Sequence, residues 1–398
     1  MRSSFLKFIV MTLAVGTLSV EVGQSNSVAQ DVTITVKKSE LIKPSAVDSD
    51  RTAMDVAILL DTSGSMQGLI SQAKSQLWNI VQEFAKAEKS GDTPYFRVSV
   101  FEYGNDRLPA SEGYVRQVCG LTDDLDQVSE ALFSLSTNGG NEFCGTVIQD
   151  ALEQLDWSRR SDSYKAIFIA GNEPFDQGSE SYKEACASAV AAGVVVNTIH
   201  CGDYNKGIRE FWQDGAVTGG GKYLHIDQNR KVIHIESPQD VIIIELNSQL
   251  NNTYLWFGEV GLRGGYSKNQ FEQDSNAGSN SISRTVTKAG KLYSNSGRDL
   301  VDTYKSNKNV LTEVEEHCLP DQMQKMAKKD RLPYLKIMAD RRATIQKKIS
   351  EQNQARIRYV NAEKARLAKA NGGQDSTLGD VMREAVRTQL ISSGFKVN

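Results

Sequence analysis

The chain has 398 residues, enough for one full hydrophobic core and further structural units besides. Hydrophobic residues make up 39% and charged residues 24%, the composition of a soluble globular protein rather than of a low-complexity chain. A net charge of −3 argues against a dedicated nucleic-acid surface.

The first element read along the chain is an export signal. Arg2 and Lys7 precede the apolar run Phe8 to Val20, and Ser27-Val28-Ala29 supplies small residues for cleavage. The run is short for a membrane span and Glu21 interrupts it, so residues 1–29 are expected to be a cleaved signal peptide. The expected address is then the periplasm or the extracellular space. No later segment is apolar for long enough to cross a bilayer, so no stable membrane span is expected after cleavage. Residues 30–51 are polar apart from the alternating Val32, Ile34 and Val36, an edge strand followed by a linker.

From residue 52 to 258, strands and helices alternate with short turns. This pattern predicts an α/β fold, a doubly wound and mainly parallel sheet flanked by helices. Val56 to Leu60 is a buried strand that runs into Asp61-Thr62-Ser63-Gly64-Ser65. Ile70, Ala73, Leu77, Ile80, Val81 and Phe84 then form the apolar stripe of a helix. Phe96 to Phe101 reads as a strand, and Tyr103 to Gly120 as a charged excursion. Asp126 to Leu135 reads as a helix with Val128, Leu132 and Leu135 inward. After the turn at Asn138-Gly139-Gly140-Asn141, Val147, Ile148, Ala151, Leu152 and Leu155 mark another helix.

Ala166 to Ala170 is apolar throughout, as expected of a central strand covered on both faces, and Gly171-Asn172-Glu173-Pro174 ends it. A helix over residues 181–192, a strand at Val194 to Ile199 and a strand at Lys222 to Ile226 follow. The helix expected over 238–252 would bury Val241, Ile244 and Leu250.

Residues 259–322 are rich in Gly, Ser, Asn and Gln at their start and read as a linker and irregular segment. Residues 323–398 form a helical C-terminal region. Leu335, Met338, Ile345, Ile349, Ile357, Val360 and Leu367 give a sparse stripe, suited to packing on one neighbour in a hairpin or a dimer. Its heptad regularity is poor, so a long two-stranded coiled coil is not the first expectation. Gly372-Gly373 ends this stretch, and residues 378–392 form a last helix.

One carboxylate and two hydroxyls at alternating positions, Asp61, Ser63 and Ser65, make a compact set of hard oxygen ligands past a buried strand. Such oxygens suit Mg²⁺, Mn²⁺ or Ca²⁺. The Asp61-to-Met66 run, the Gly139-Gly140 turn and the strand-to-loop passage Phe168 to Pro174 together resemble the von Willebrand factor type A domain over residues 52–258. The resemblance implies a metal-ion-dependent adhesion site. Both serines would bind a divalent cation directly, and Asp61 would hold it mainly through water. A protein ligand would supply a carboxylate to the open coordination position. The family pattern adds a Thr and a second Asp from two other loops. This chain instead offers Glu142, with Thr137 and Thr146 as neighbours, and Asn172, flanked by Glu173. Exchanging Thr for Glu and Asp for Asn leaves the summed formal charge unchanged. The expected metal residues are therefore Asp61, Ser63, Ser65, Glu142 and Asn172, the alternative being a degenerate site that binds metal weakly or not at all.

Other motifs carry less. His200 and Cys201 are adjacent on a strand and point to opposite faces, which disfavours a nucleophilic pair. Thr218-Gly219-Gly220-Gly221-Lys222 lacks the phosphate-loop spacing and reads as a turn before a strand. Cys119, Cys144, Cys186, Cys201 and Cys318 are odd in number and include no C-x-x-C pair, so they are either buried small residues or contain one bridge. The leading expectation is an exported, non-enzymatic protein-binding or adhesion module presenting a divalent cation. The alternative is a metal-free envelope scaffold acting through its helical region, which would dock on the first domain or drive self-association. A metal-dependent hydrolase ranks last, because no convincing general base is found.

Overall fold

The computed structural model describes residues 51–227, 235–371 and 378–397. The expected signal segment, the expected strand at Val32, Ile34 and Val36 and the expected helix end at Gly372-Gly373 lie outside the described residues.

Strand β1 (Ala53–Asp61) is buried along its whole length, which requires cover on both faces. Its alternate residues serve two cores. Met54, Val56, Ile58 and Leu60 face the core under α1 (Gln67–Phe84), while Ala57 and Leu59 face the other. The predicted α1 stripe is buried at all six positions. A two-residue strand β2 (Ala87–Glu88) follows, then β3 (Tyr95–Tyr103) and β4 (Val115–Thr122). Helix α2 (Leu125–Ser134) joins α1 on the first face, with Val128, Leu132 and Leu135 buried as expected. On the second face α3 (Cys144–Gln154) and α4 (Tyr182–Ala191) enclose β5 (Tyr164–Gly171) and β6 (Val195–Cys201). Short helices α5 (Tyr204–Arg209) and α6 (Trp212–Thr218) lead to β7 (Gly220–Ile226).

The sheet order is β4-β3-β1-β5-β6-β7. All neighbours are parallel except the β3–β4 pair. The chain turns back on itself between β1 and β5, the switch point at which open α/β sheets form a crevice. Strand β4 replaces part of the predicted excursion. Only Val115 and Cys119 of it are buried, so an edge strand of this kind shows little alternation to read. The glycines before β7 serve close approach, since a Cβ on Gly221 would lie 2.1 Å from the Val196 carbonyl oxygen.

Helix α7 (Gln239–Asn251) buries Ile243, Leu246 and Leu250, whereas Val241 is 64% exposed and Ile244 48% exposed. The expected face is corrected on two of three residues. Val241 to Ile244 are all apolar, so spacing alone does not choose a face; packing against the later helix α13 does.

The segment expected to be irregular is largely helical. It holds α8 (Val260–Asn276), α9 (Ser281–Lys288), α10 (Leu300–Ser306), α11 (Val310–Glu313) and α12 (Asp321–Gln324). Leu300, Val301, Val310 and Met323 of α10, α11 and α12 join a smaller apolar cluster, whereas α8 and α9 bury charge. Arg284 of α9 pairs with Asp126 of α2 at 2.7 Å and Asp274 of α8 at 2.6 Å, and Lys288 reaches Asp274 at 2.8 Å. The Tyr293 hydroxyl donates to the second Asp126 oxygen at 2.6 Å.

The 44-residue helix α13 (Lys328–Asn371) packs along α7, and its buried Arg342 pairs with Asp299 at 2.7 Å and Asp302 at 3.1 Å. Leu335, Met338, Ile345 and Ile349 are buried, but Ile357 is exposed; the Leu367 side chain lies outside the described set. Helix α14 (Leu378–Ser392) lays Leu378, Val381, Met382, Ala385, Val386 and Leu390 against α1. Each such side chain contributes roughly 1.5–3 kcal/mol of gross hydrophobic stabilisation when fully buried, rather less for the alanine. Strand β8 (Lys396–Val397) then pairs antiparallel with β2. The C-terminal helices thus dock on the sheet domain. All five cysteines are free thiols, four of them buried.

Candidate metal centre

Three loops meet at the carboxyl ends of β1 and β5. The β1 loop crosses to the loop before α3 through Asn138, whose amide donates to the Thr62 carbonyl at 3.0 Å. The Asp106 amide donates to the Gly139 carbonyl at 2.6 Å and binds the loop after β3 to the same place. Gly104 makes this approach possible. Its φ of +77° suits glycine, and a Cβ there would lie 2.7 Å from Glu142 Cγ and 3.0 Å from Asp61 Oδ1.

The five expected metal residues come together, to different degrees. Asp61, Ser63 and Glu142 are buried, Asn172 is half-buried and Ser65 is exposed at the mouth. Asp61 Oδ1 accepts from the Ser63 amide at 2.7 Å, an Asx turn that fixes the loop. Ser63 and Ser65 hydroxyl oxygens lie 3.4 Å apart, and the Ser65 hydroxyl lies 3.4 Å from Asn172 Oδ1. The Glu142 amide donates to Gln177 Oε1 at 3.3 Å, which anchors its loop. Thr137 and Thr146 do not join the cluster. The Thr137 hydroxyl bonds Gln67 Oε1 at 3.1 Å, and Thr146 packs over Gly113.

Two carboxylates share this buried space, and among the described residues no Lys or Arg pairs with either. Asp61 Oδ2 and Glu142 Oε2 are buried without a hydrogen-bond partner. Burial first, then the facing Asp61 charge, pushes Glu142 up to about 9. Burial raises Asp61 to about 6, its hydrogen bonds to Glu142 and Ser63 acting the other way. A proton shared by the pair makes one carboxyl a donor to the other. With both groups ionised they are acceptors only, and the two oxygens above are orphaned. Glu173 adds further negative charge to both. Its contribution escaped the sequence reading, which named it only as a flank of Asn172.

Asp61 and Glu142 carboxylates, Ser63 and Ser65 hydroxyls and the Asn172 carbonyl therefore form an all-oxygen donor set. That chemistry fits a hard divalent cation, which would also satisfy the orphaned oxygens. Beneath it, the Tyr103 hydroxyl donates to the Ala170 carbonyl at 3.1 Å and closes the floor. The neighbouring His200 stacks toward Trp212 in one core while Cys201 lies in the other, so they form no nucleophilic pair.

The fold is thus an α/β domain with oxygen-bearing side chains gathered at the switch point of its sheet. The model of the von Willebrand factor type A domain matches residues 55–216, and this part of the chain is such a domain. Among solved structures, proximal thread matrix protein 1 from the mussel byssus is 16% identical with a TM-score of 0.34, covering 45% of this chain and 43% of that one. BatB from Bacteroides thetaiotaomicron is 18% identical with a TM-score of 0.34, covering 44% and 90%. The SpRpn10 VWA domain is 16% identical with a TM-score of 0.33, covering 44% and 87%. No curated protein sequence matches the chain.

Proposed function

We propose that the protein is an exported, non-enzymatic protein-binding module that holds a divalent cation at Asp61, Ser63, Ser65, Glu142 and Asn172. The observation that carries this reading is the buried Asp61–Glu142 pair, whose Oδ2 and Oε2 atoms have no hydrogen-bond partner and, among the described residues, no Lys or Arg. Mg²⁺ is the expected ion, with Mn²⁺ or Ca²⁺ as substitutes, because every donor is a hard oxygen. Type A domains serve generally as interaction modules, which supports a protein as partner. Ser65 and Asn172 border the mouth, so a partner carboxylate would approach from their side and complete the coordination. The leader-like N-terminus supports export. Among the described residues no helix is long and apolar enough to cross a membrane.

Calorimetric titration of the full chain with Mg²⁺ and Mn²⁺ tests the reading. Saturable binding lost in Asp61→Ala is expected. Absence of such binding in the wild type would leave the metal-free scaffold, with the docked helices as its contact surface. Capture of an envelope partner with and without EDTA then tests whether the cation lies in the interface.

A further inference from the structure

A second cluster of ligating atoms lies in the helical region, away from the oxygen-lined site. Glu259 precedes α8, and His317 and Cys318 belong to a short 3₁₀ turn (Glu316–Cys318) before α12. His317 Nε2 lies 3.2 Å from Glu259 Oε1 and 3.5 Å from Cys318 Sγ, and Cys318 Sγ lies 3.8 Å from Glu259 Oε1. The three atoms form a near-equilateral triangle.

In the metal-free chain the Cys318 thiol donates to Glu259 Oε1 at 3.8 Å. His317 Nδ1 lies 3.3 Å from Glu315 Oε2. A neutral imidazole donates from one nitrogen only. With its proton on Nδ1 and given to Glu315, the Nε2 lone pair faces a carboxylate oxygen and a sulfur. Once the Cys318 thiol gives up its proton, three donors of electron pairs converge, and a divalent cation would satisfy them together. The carboxylate on the far nitrogen is the usual support of a metal-bound histidine, since it fixes the tautomer and the ring orientation.

The spacing selects the metal. Zinc binds sulfur at about 2.3 Å and nitrogen or oxygen at about 2.0–2.2 Å, so tetrahedral angles place these ligand atoms roughly 3.3–3.6 Å apart. The observed 3.2, 3.5 and 3.8 Å bracket that range. A thiolate, an imidazole and one carboxylate suit a borderline-soft ion such as Zn²⁺ and not Mg²⁺.

The backbone holds the ligands in place without the metal. The Gly258 amide donates to the Cys318 carbonyl at 2.8 Å, which joins the two ligand segments. Arg263 Nη1 donates to the His317 carbonyl at 2.7 Å and to the Gly258 carbonyl at 3.2 Å. Gln324 Nε2 donates to the His317 and Leu319 carbonyls at 3.0 and 2.7 Å.

We infer that Glu259, His317 and Cys318 form a zinc site with three protein ligands, Glu315 orienting the histidine and a solvent molecule taking the fourth position. The reduced full chain, in excess Mg²⁺ to occupy hard-oxygen sites, is titrated with Co²⁺ as a spectroscopic stand-in. One equivalent should develop the visible bands of tetrahedral cobalt and a near-ultraviolet thiolate-to-cobalt band, both bleached by one equivalent of Zn²⁺. Cys318→Ser should lose the thiolate band, and His317→Gln and Glu259→Gln should lose tight binding. Glu315→Gln should weaken affinity about 10- to 100-fold. Asp61→Ala should leave the spectrum unchanged, which separates this site from the one on the sheet. A wild-type protein without the thiolate band, showing a protonated histidine bridging two carboxylates, would overturn the inference. So would a band that survives Cys318→Ser in a chain whose circular dichroism matches the wild type.

Discussion

Two sets of buried acids, built from the same residue chemistry, behave in opposite ways. Asp126 and Asp274 meet Arg284 and Lys288 between α2, α8 and α9. Burial alone would raise Asp274, but Lys288 and Arg284 outweigh it and bring the carboxyl down to about 2. Burial lowers Lys288 to about 8, against the pull of Asp274. The two partners thus shift in ways that disagree about the strength of their pair. The geometry decides for a charged ammonium, because Lys288 donates to Asn247, Asn251 and both Asp274 oxygens at 2.6–3.0 Å. Asp61 and Glu142, by contrast, find no cation of the chain and rise. The first set is compensated internally and joins helices. The second has no such compensation among the described residues.

Removing the internal compensation should cost most. Arg284→Ala strands Asp126 and Asp274 in a buried space and is expected to lower stability by about 3–5 kcal/mol in urea unfolding. A loss below about 1 kcal/mol would show that water compensates these acids and that the contrast with Asp61–Glu142 is false.

On the sheet side, Asp61→Ala is expected to weaken Mn²⁺ binding at least about 100-fold, near 3 kcal/mol, by calorimetry. Fold stability should fall by about 1 kcal/mol, since the buried Ser63 amide loses its Asp61 acceptor.

The pH dependence of the metal-free protein has a definite sign. Glu142 titrates near 4.5 when unfolded and about 9 when folded, so the folded state binds the extra proton between those values. Stability is then fully present below about 4.5 and declines as pH rises toward 9, by about a few kcal/mol in total. Saturating Mg²⁺ should flatten the decline, and Glu142→Gln should flatten it without metal. Chemical denaturation from pH 5 to 9 measures this, and a wild-type profile equal to that of Glu142→Gln would refute the shared-proton pair.

The smallest expected effect is a gain. Asn172→Asp adds a negative ligand at the mouth and should tighten Mn²⁺ about tenfold, near 1.4 kcal/mol. No change in affinity would place Asn172 outside the coordination shell.

How far these features could be read in the sequence follows from which forces shape them. Strands β1, β5 and β6 and helix α1 are apolar-driven, and their periodicity locates them to within a few residues. The Asp61 loop was legible because it directly follows such a strand, and the Gly139-Gly140 turn led to Glu142. Helices α8 and α9 were not legible. Their buried faces carry Arg263, Gln270, Gln273, Arg284 and Lys288, which hydrophobic patterning assigns to solvent. The same holds for Glu259 and His317, brought together by backbone bonds across 58 positions with no local motif. The α7 face was misread because four consecutive apolar residues leave rotation about the axis to tertiary packing.

The pairing of β8 with β2, and of α14 with α1, bears on when the protein can become folded. The Leu378 amide bonds Gln72 across 306 positions, and Gly379 lies against the Gln76 side chain. The face of α1 that carries Gln72 and Gln76 therefore gains this cover only once residues 378–397 have been made. Contacts of such long range slow folding and hold the nascent chain in an incompletely packed state.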